Sequence, residues 1–95
     1  MRVISEEKLV AYLRRVIDLS QQVLPIMAEK GTQDPPKKIG DAYRALVEDL
    51  DTERADDSYL QDDSWNWIFD PPESLNLIKI YGRLAWINLQ LLELM

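Results

Sequence analysis

The C-terminal segment limits the possible folds more than any other part of the chain. From position 75 onward Leu75, Leu77, Ile78, Ile80, Tyr81, Leu84, Ala85, Ile87, Leu89, Leu91, Leu92, Leu94 and Met95 are apolar. At about 100° per residue these side chains cover most of a helix circumference. Asn76, Lys79, Arg83, Gln90 and Glu93 gather on one narrow side, which Trp86 shares, and Asn88 falls on the apolar side. A helix that is apolar nearly all round is expected to be buried nearly all round. A membrane span is not expected, because Lys79, Arg83, Asn88, Gln90 and Glu93 interrupt the segment and no run of about 20 apolar residues exists.

Two more helices must therefore cover it. Residues 5–30 read as the first. Ser5 is a candidate N-cap, Glu6 and Glu7 suit the positive end of the helix dipole, and Lys30 followed by Gly31 marks the end. Leu9, Leu13, Val16, Ile17, Val23, Leu24 and Met27 recur at steps of three and four and draw one stripe. Pro25 has no N–H and its ring crowds the preceding turn, so a kink or break is expected near Val23 and Leu24. The second helix is expected to start at Asp34-Pro35-Pro36, with Asp34 as its cap, and to run to about Glu53. Ile39, Ala42, Tyr43, Leu46, Val47 and Leu50 give it the cleanest amphipathic pattern in the chain. A third helix is expected to begin at Asp70-Pro71-Pro72-Glu73, where Asp70 and Glu73 form a capping-box-like pair, and to run to the C-terminus. The two Asp-Pro-Pro starts do not mark a repeat, since Leu46 would align with Gly82 and Leu50 with Trp86. The fold class that follows is all-α: one domain over residues 1–95, built as a small antiparallel bundle of three main helices.

Several chemistries are excluded by what is missing. The chain has neither cysteine nor histidine. Disulfides, thiolate and imidazole catalysis, Cys/His zinc sites and the Glu-x-x-His pairs of di-iron bundles are therefore ruled out. The glycines, Gly31, Gly40 and Gly82, are too isolated to form a phosphate loop. Asp49-Leu50-Asp51-Thr52-Glu53 resembles the start of a calcium loop, but Arg54 stands where glycine is needed and Leu60 where the closing glutamate is needed. Glu48 and Asp51 form the i, i+3 carboxylate pair used by all-α magnesium-dependent nucleotide hydrolases, yet no second such pair faces them from another helix. No catalytic residue, cofactor or metal is assigned.

Charge is the remaining signal. The net charge of −6 is uneven: residues 1–47 carry eight basic and six acidic side chains, and residues 48–95 carry three and eleven. Such a chain is not expected to bind nucleic acid directly. Glu48, Asp49, Asp51, Glu53, Asp56, Asp57, Asp62 and Asp63 crowd one segment opposed by Arg54 alone, and Trp65, Trp67 and Phe69 follow at once. These rings have two readings. They cap one end of the core, or they join the carboxylates in an acidic-aromatic docking surface.

The functional expectation is a non-catalytic, acidic protein-binding module. An antitoxin, immunity protein or inhibitor that occludes a basic surface of a partner fits it, with Glu48, Asp51, Asp56, Asp57, Asp62, Asp63, Trp65, Trp67 and Phe69 as contact residues. The alternatives are a structural or adaptor subunit assembling through its C-terminal helix and, least favoured, a magnesium-dependent all-α nucleotide hydrolase built on carboxylates such as Glu48 and Asp51. In each case a homodimer is expected, with Leu77, Tyr81, Leu84, Ile87, Leu91 and Leu94 at its interface. The N-terminus lacks an apolar run of signal-peptide length and reads as mature cytoplasmic sequence.

Overall fold

The computed structural model describes residues 4–70 and 74–95. It is an all-α bundle. Helix α1 spans Glu6–Lys30, α2 spans Lys37–Glu53, a 3-10 turn at Asp63–Trp65 leads into the short α3 at Asn66–Phe69, and α4 spans Leu77–Leu92. Both α2 and α4 run antiparallel to α1. Lys8 and Arg15 near the start of α1 meet Glu53 and Asp49 near the end of α2. The Ile78 N–H at the start of α4 donates to the Gly31 carbonyl, 3.1 Å away, just past the end of α1.

Each long helix buries one stripe. Leu9, Tyr12, Leu13, Val16, Leu19 and Val23 come from α1, and Ile39, Tyr43, Leu46 and Leu50 from α2. From α4 come Leu77, Ile80, Leu84, Ile87 and Leu91. Leu60, Trp65 and Ile68 close the core from the connection between α2 and α4.

The helix ends differ from the sequence expectation in three places. Helix α1 continues through Pro25 to Lys30, so of the kink or break expected there the break does not occur. Pro25 itself is exposed, while Val23 before it is fully buried and Ile26 and Met27 after it pack on the core. That burial outweighs one lost backbone hydrogen bond. Pro25→Ala is accordingly expected to stabilise the protein by about 1–3 kcal/mol, read as a higher urea midpoint with an unchanged slope.

Helix α2 starts at Lys37 with Pro36 as its cap residue, not at Asp34. A residue before proline is driven out of the helical region, so Pro35 is held extended by Pro36 and the helix waits until both prolines have passed. The same restriction acts on Asp70, which is extended at φ −74° and ψ 123°. Helix α4 then begins at Leu77, capped by Asn76, whose side chain accepts from the Lys79 N–H at 2.9 Å. Pro71, Pro72 and Glu73, and with them the expected capping pair, lie outside the described residues.

Burial of α4 on nearly all sides does not occur within one chain. Ile78, Leu89 and Leu92 remain about half exposed. Two long helices and a short one cover only part of its circumference.

Candidate functional site

The acidic segment gathers at the end of the bundle where α1 begins and α2 finishes. Several of its carboxylates are committed to holding that end together. Glu53 pairs with Lys8 at 3.1 Å, Asp49 with Arg15 at 2.8 Å, and Asp51 with Arg54 at 3.0 Å. The Tyr12 hydroxyl lies between them, 3.3 Å from the Asp49 carbonyl and 3.4 Å from a Glu53 carboxylate oxygen. Burial first, then the charges of Glu53 and Asp49, pushes this phenol up to about 12 from 10.0. Because the folded value is raised, the stabilisation is complete below about pH 10 and fades as pH climbs towards 12. The denaturant midpoint is therefore expected to fall over that window, and Tyr12→Phe to make the fall shallower.

Asp57 is the deepest of these carboxylates, only 2% exposed. It accepts from the backbone N–H groups of Ile4, of Tyr59 at 2.7 Å and of Leu60 at 3.1 Å. It is a structural anchor that ties the segment before α1 to the loop after α2. The docking role expected for it is corrected accordingly, since a carboxylate with no exposed surface cannot reach a partner.

Asp62 caps the 3-10 turn by accepting from the Ser64 N–H at 2.9 Å, and this bond holds its carboxyl below the usual carboxylate range. Glu48, Asp56 and Asp63 are exposed and make no ion pair among the described residues. These three, with Asp62, are the carboxylates still open to another molecule.

The aromatic residues divide between the two readings. Trp65 is fully buried, so its expected place on a docking surface is also corrected. It meets Tyr59 and Trp86 edge to face at 6.2 and 4.9 Å and stacks on Phe69 at 5.9 Å. Phe69 is half-buried beneath Arg54, whose guanidinium carbon sits 4.5 Å from the ring centre. Trp67 alone points outward, 43% exposed. It is braced by Trp86 at 5.2 Å and by Arg83 at 5.0 Å, which also donates to the Trp67 carbonyl at 2.7 Å. This contact between α3 and α4 gave no sequence signal, because Arg83 is 16 positions away from Trp67.

The expected oligomer interface is likewise corrected. Leu77, Leu84, Ile87 and Leu91 are 0–1% exposed within a single chain and are unavailable to a second one. Tyr81 and Leu94 are half-buried against the same core. The wheel for α4 drew apolar residues all round and could not show which sector α1 and the core take.

Among the described residues, no group of three or more acidic side chains is placed to hold a metal ion. Of the Glu48 and Asp51 pair, Asp51 is engaged by Arg54. No helix among them is long and apolar enough to cross a membrane. The chain matches no protein-family model, no curated protein and no solved structure.

Proposed function

We propose that the protein is a non-catalytic, acidic protein-binding module whose 48–67 segment occludes a basic surface of a partner protein, in the manner of an antitoxin, immunity protein or inhibitor. The observation that carries this reading is the division of labour at the acidic end. Asp49, Asp51, Glu53 and Asp57 are used internally, whereas Glu48, Asp56, Asp62 and Asp63 remain exposed on the stretch that leads to the outward ring of Trp67. Exposed carboxylates accelerate encounter with a cationic surface, and a rigidly braced tryptophan supplies an apolar anchor at little cost in side-chain entropy. The same reading includes self-association as a homodimer through apolar helix surface.

The test combines Asp56→Asn, Asp62→Asn and Asp63→Asn in one variant and compares it with the unaltered protein. Against a basic partner captured by the unaltered protein, the association rate at low salt is expected to fall at least ~10-fold and its salt dependence to flatten. An unchanged rate overturns the acidic-surface reading. The alternative, an adaptor that works through apolar helix surface alone, predicts that unchanged rate.

A further inference from the structure

Seven large apolar side chains remain well exposed among the described residues, and six of them are Ile17 and Leu24 on α1 with Ile78, Leu89, Leu92 and Met95 on or just beyond α4. Trp67 is the seventh. Between α1 and α4 runs an open groove of about 250 Å³, bordered by Ile17, Gln21, Leu24, Tyr81, Ala85 and Asn88. Along α4, positions 78, 81, 85, 88 and 92 alternate in steps of three and four, the spacing of a coiled-coil seam, and none of them is charged. One further observation marks the seam as unfinished. The side-chain oxygen of Asn88 is buried yet accepts no hydrogen bond among the described residues, which is costly to leave so.

We propose that this α1–α4 face docks against the same face of a second copy, across a two-fold axis perpendicular to the helices, to form a four-helix interface. The proposal rests on the self-association in the reading above and not on the acidic end.

Three arguments favour a second copy as occupant. The first is area. With the six side chains 47–67% exposed, they offer roughly 600 Å² per copy and about 1,200 Å² per pair, the lower bound for a stable interface. Tyr81, Ala85 and Gln21 add to it. The second is charge. Glu6, Glu7 and Glu93 outnumber Lys8 at one end of the two helices, and Lys30 and Lys79 outnumber Glu29 at the other. A perpendicular two-fold places the acidic end of each copy beside the basic end of its mate. It also carries the two 48–63 segments to opposite ends of the dimer, where they repel least. The third is the amide chemistry. Asn88 and Gln21 each donate and accept, so after a side-chain rotation the amides of one copy complete those of the other and set the register. Ala85 beside them lets the two α4 backbones approach closely.

Sedimentation velocity across about 1–100 µM tests this, since dimer content must track concentration. The unaltered protein is expected to be dimeric at the upper end. Ala85→Arg and Leu92→Lys each place a charge on the seam at an exposed position, and each is expected to raise the dimer dissociation constant at least ~100-fold with helicity unchanged. Trp67→Ala is expected to remain dimeric. A dimer that survives both seam substitutions overturns this face while leaving self-association standing. A monomer throughout the range overturns both, and neither result bears on the acidic end, which is judged by the Asn variant.

Discussion

Trp65→Ala is expected to cost about 3–5 kcal/mol, the largest single-residue effect in the molecule. Its ring is fully buried and touches Tyr59, Phe69 and Trp86, so truncation opens a cavity that three rigid rings cannot easily fill. A fold of this size has a total stability of about 5–15 kcal/mol, so the loss is a large fraction of the whole. Urea unfolding followed by far-ultraviolet circular dichroism reads it directly. Trp65→Phe makes an instructive partner. The indole N–H is buried with no hydrogen-bond partner among the described residues, and phenylalanine removes that donor while keeping much of the ring. Its cost is expected to stay below half that of alanine. A loss below about 1 kcal/mol for Trp65→Ala would show that the ring is not packed inside the core.

Asp57→Ala is expected to cost about 3 kcal/mol. The charge-assisted bonds from Asp57 to the N–H groups of Ile4, Tyr59 and Leu60 disappear together, and at least the last of these donors is left buried without a partner. Asp57→Asn retains one acceptor oxygen and is expected to recover part of the loss. The neighbouring Asp56→Ala supplies the contrast. Asp56 is exposed and unpaired among the described residues, so its removal is expected to change stability by less than about 0.5 kcal/mol. Two adjacent aspartates with such different costs can be distinguished in one denaturation series. Equal costs would refute the anchoring role of Asp57.

These two residues also show where sequence reasoning stops. Periodicity is a property of a single helix, so the buried stripes of α1 and α2 can be read directly: Leu9, Leu13, Val16 and Val23 on one, Ile39, Tyr43, Leu46 and Leu50 on the other. Within the acidic-aromatic stretch there is no period to use. Asp56 and Asp57 are identical in the sequence, as are Trp65 and Trp67, and in each pair one member is buried and the other exposed. The distinction is made by partners far along the chain. Ile4, 53 positions from Asp57, supplies one of its donors, and Trp86 on α4 covers Trp65.

The sequence by itself determined the all-α class, the three long helices, and the absence of thiol and imidazole chemistry. Each of these follows from composition or from contacts within a few residues. Only the tertiary structure decided that α1 passes unbroken through Pro25, because that outcome turns on how much apolar surface lies on either side of one lost hydrogen bond. The tertiary structure also decided which part of α4 remains bare. A helix that is apolar nearly all round offers every sector equally, and only packing against α1 and the rest of the core selects Leu77, Ile80, Leu84, Ile87 and Leu91 for the interior and leaves Ile78, Leu89 and Leu92 outside.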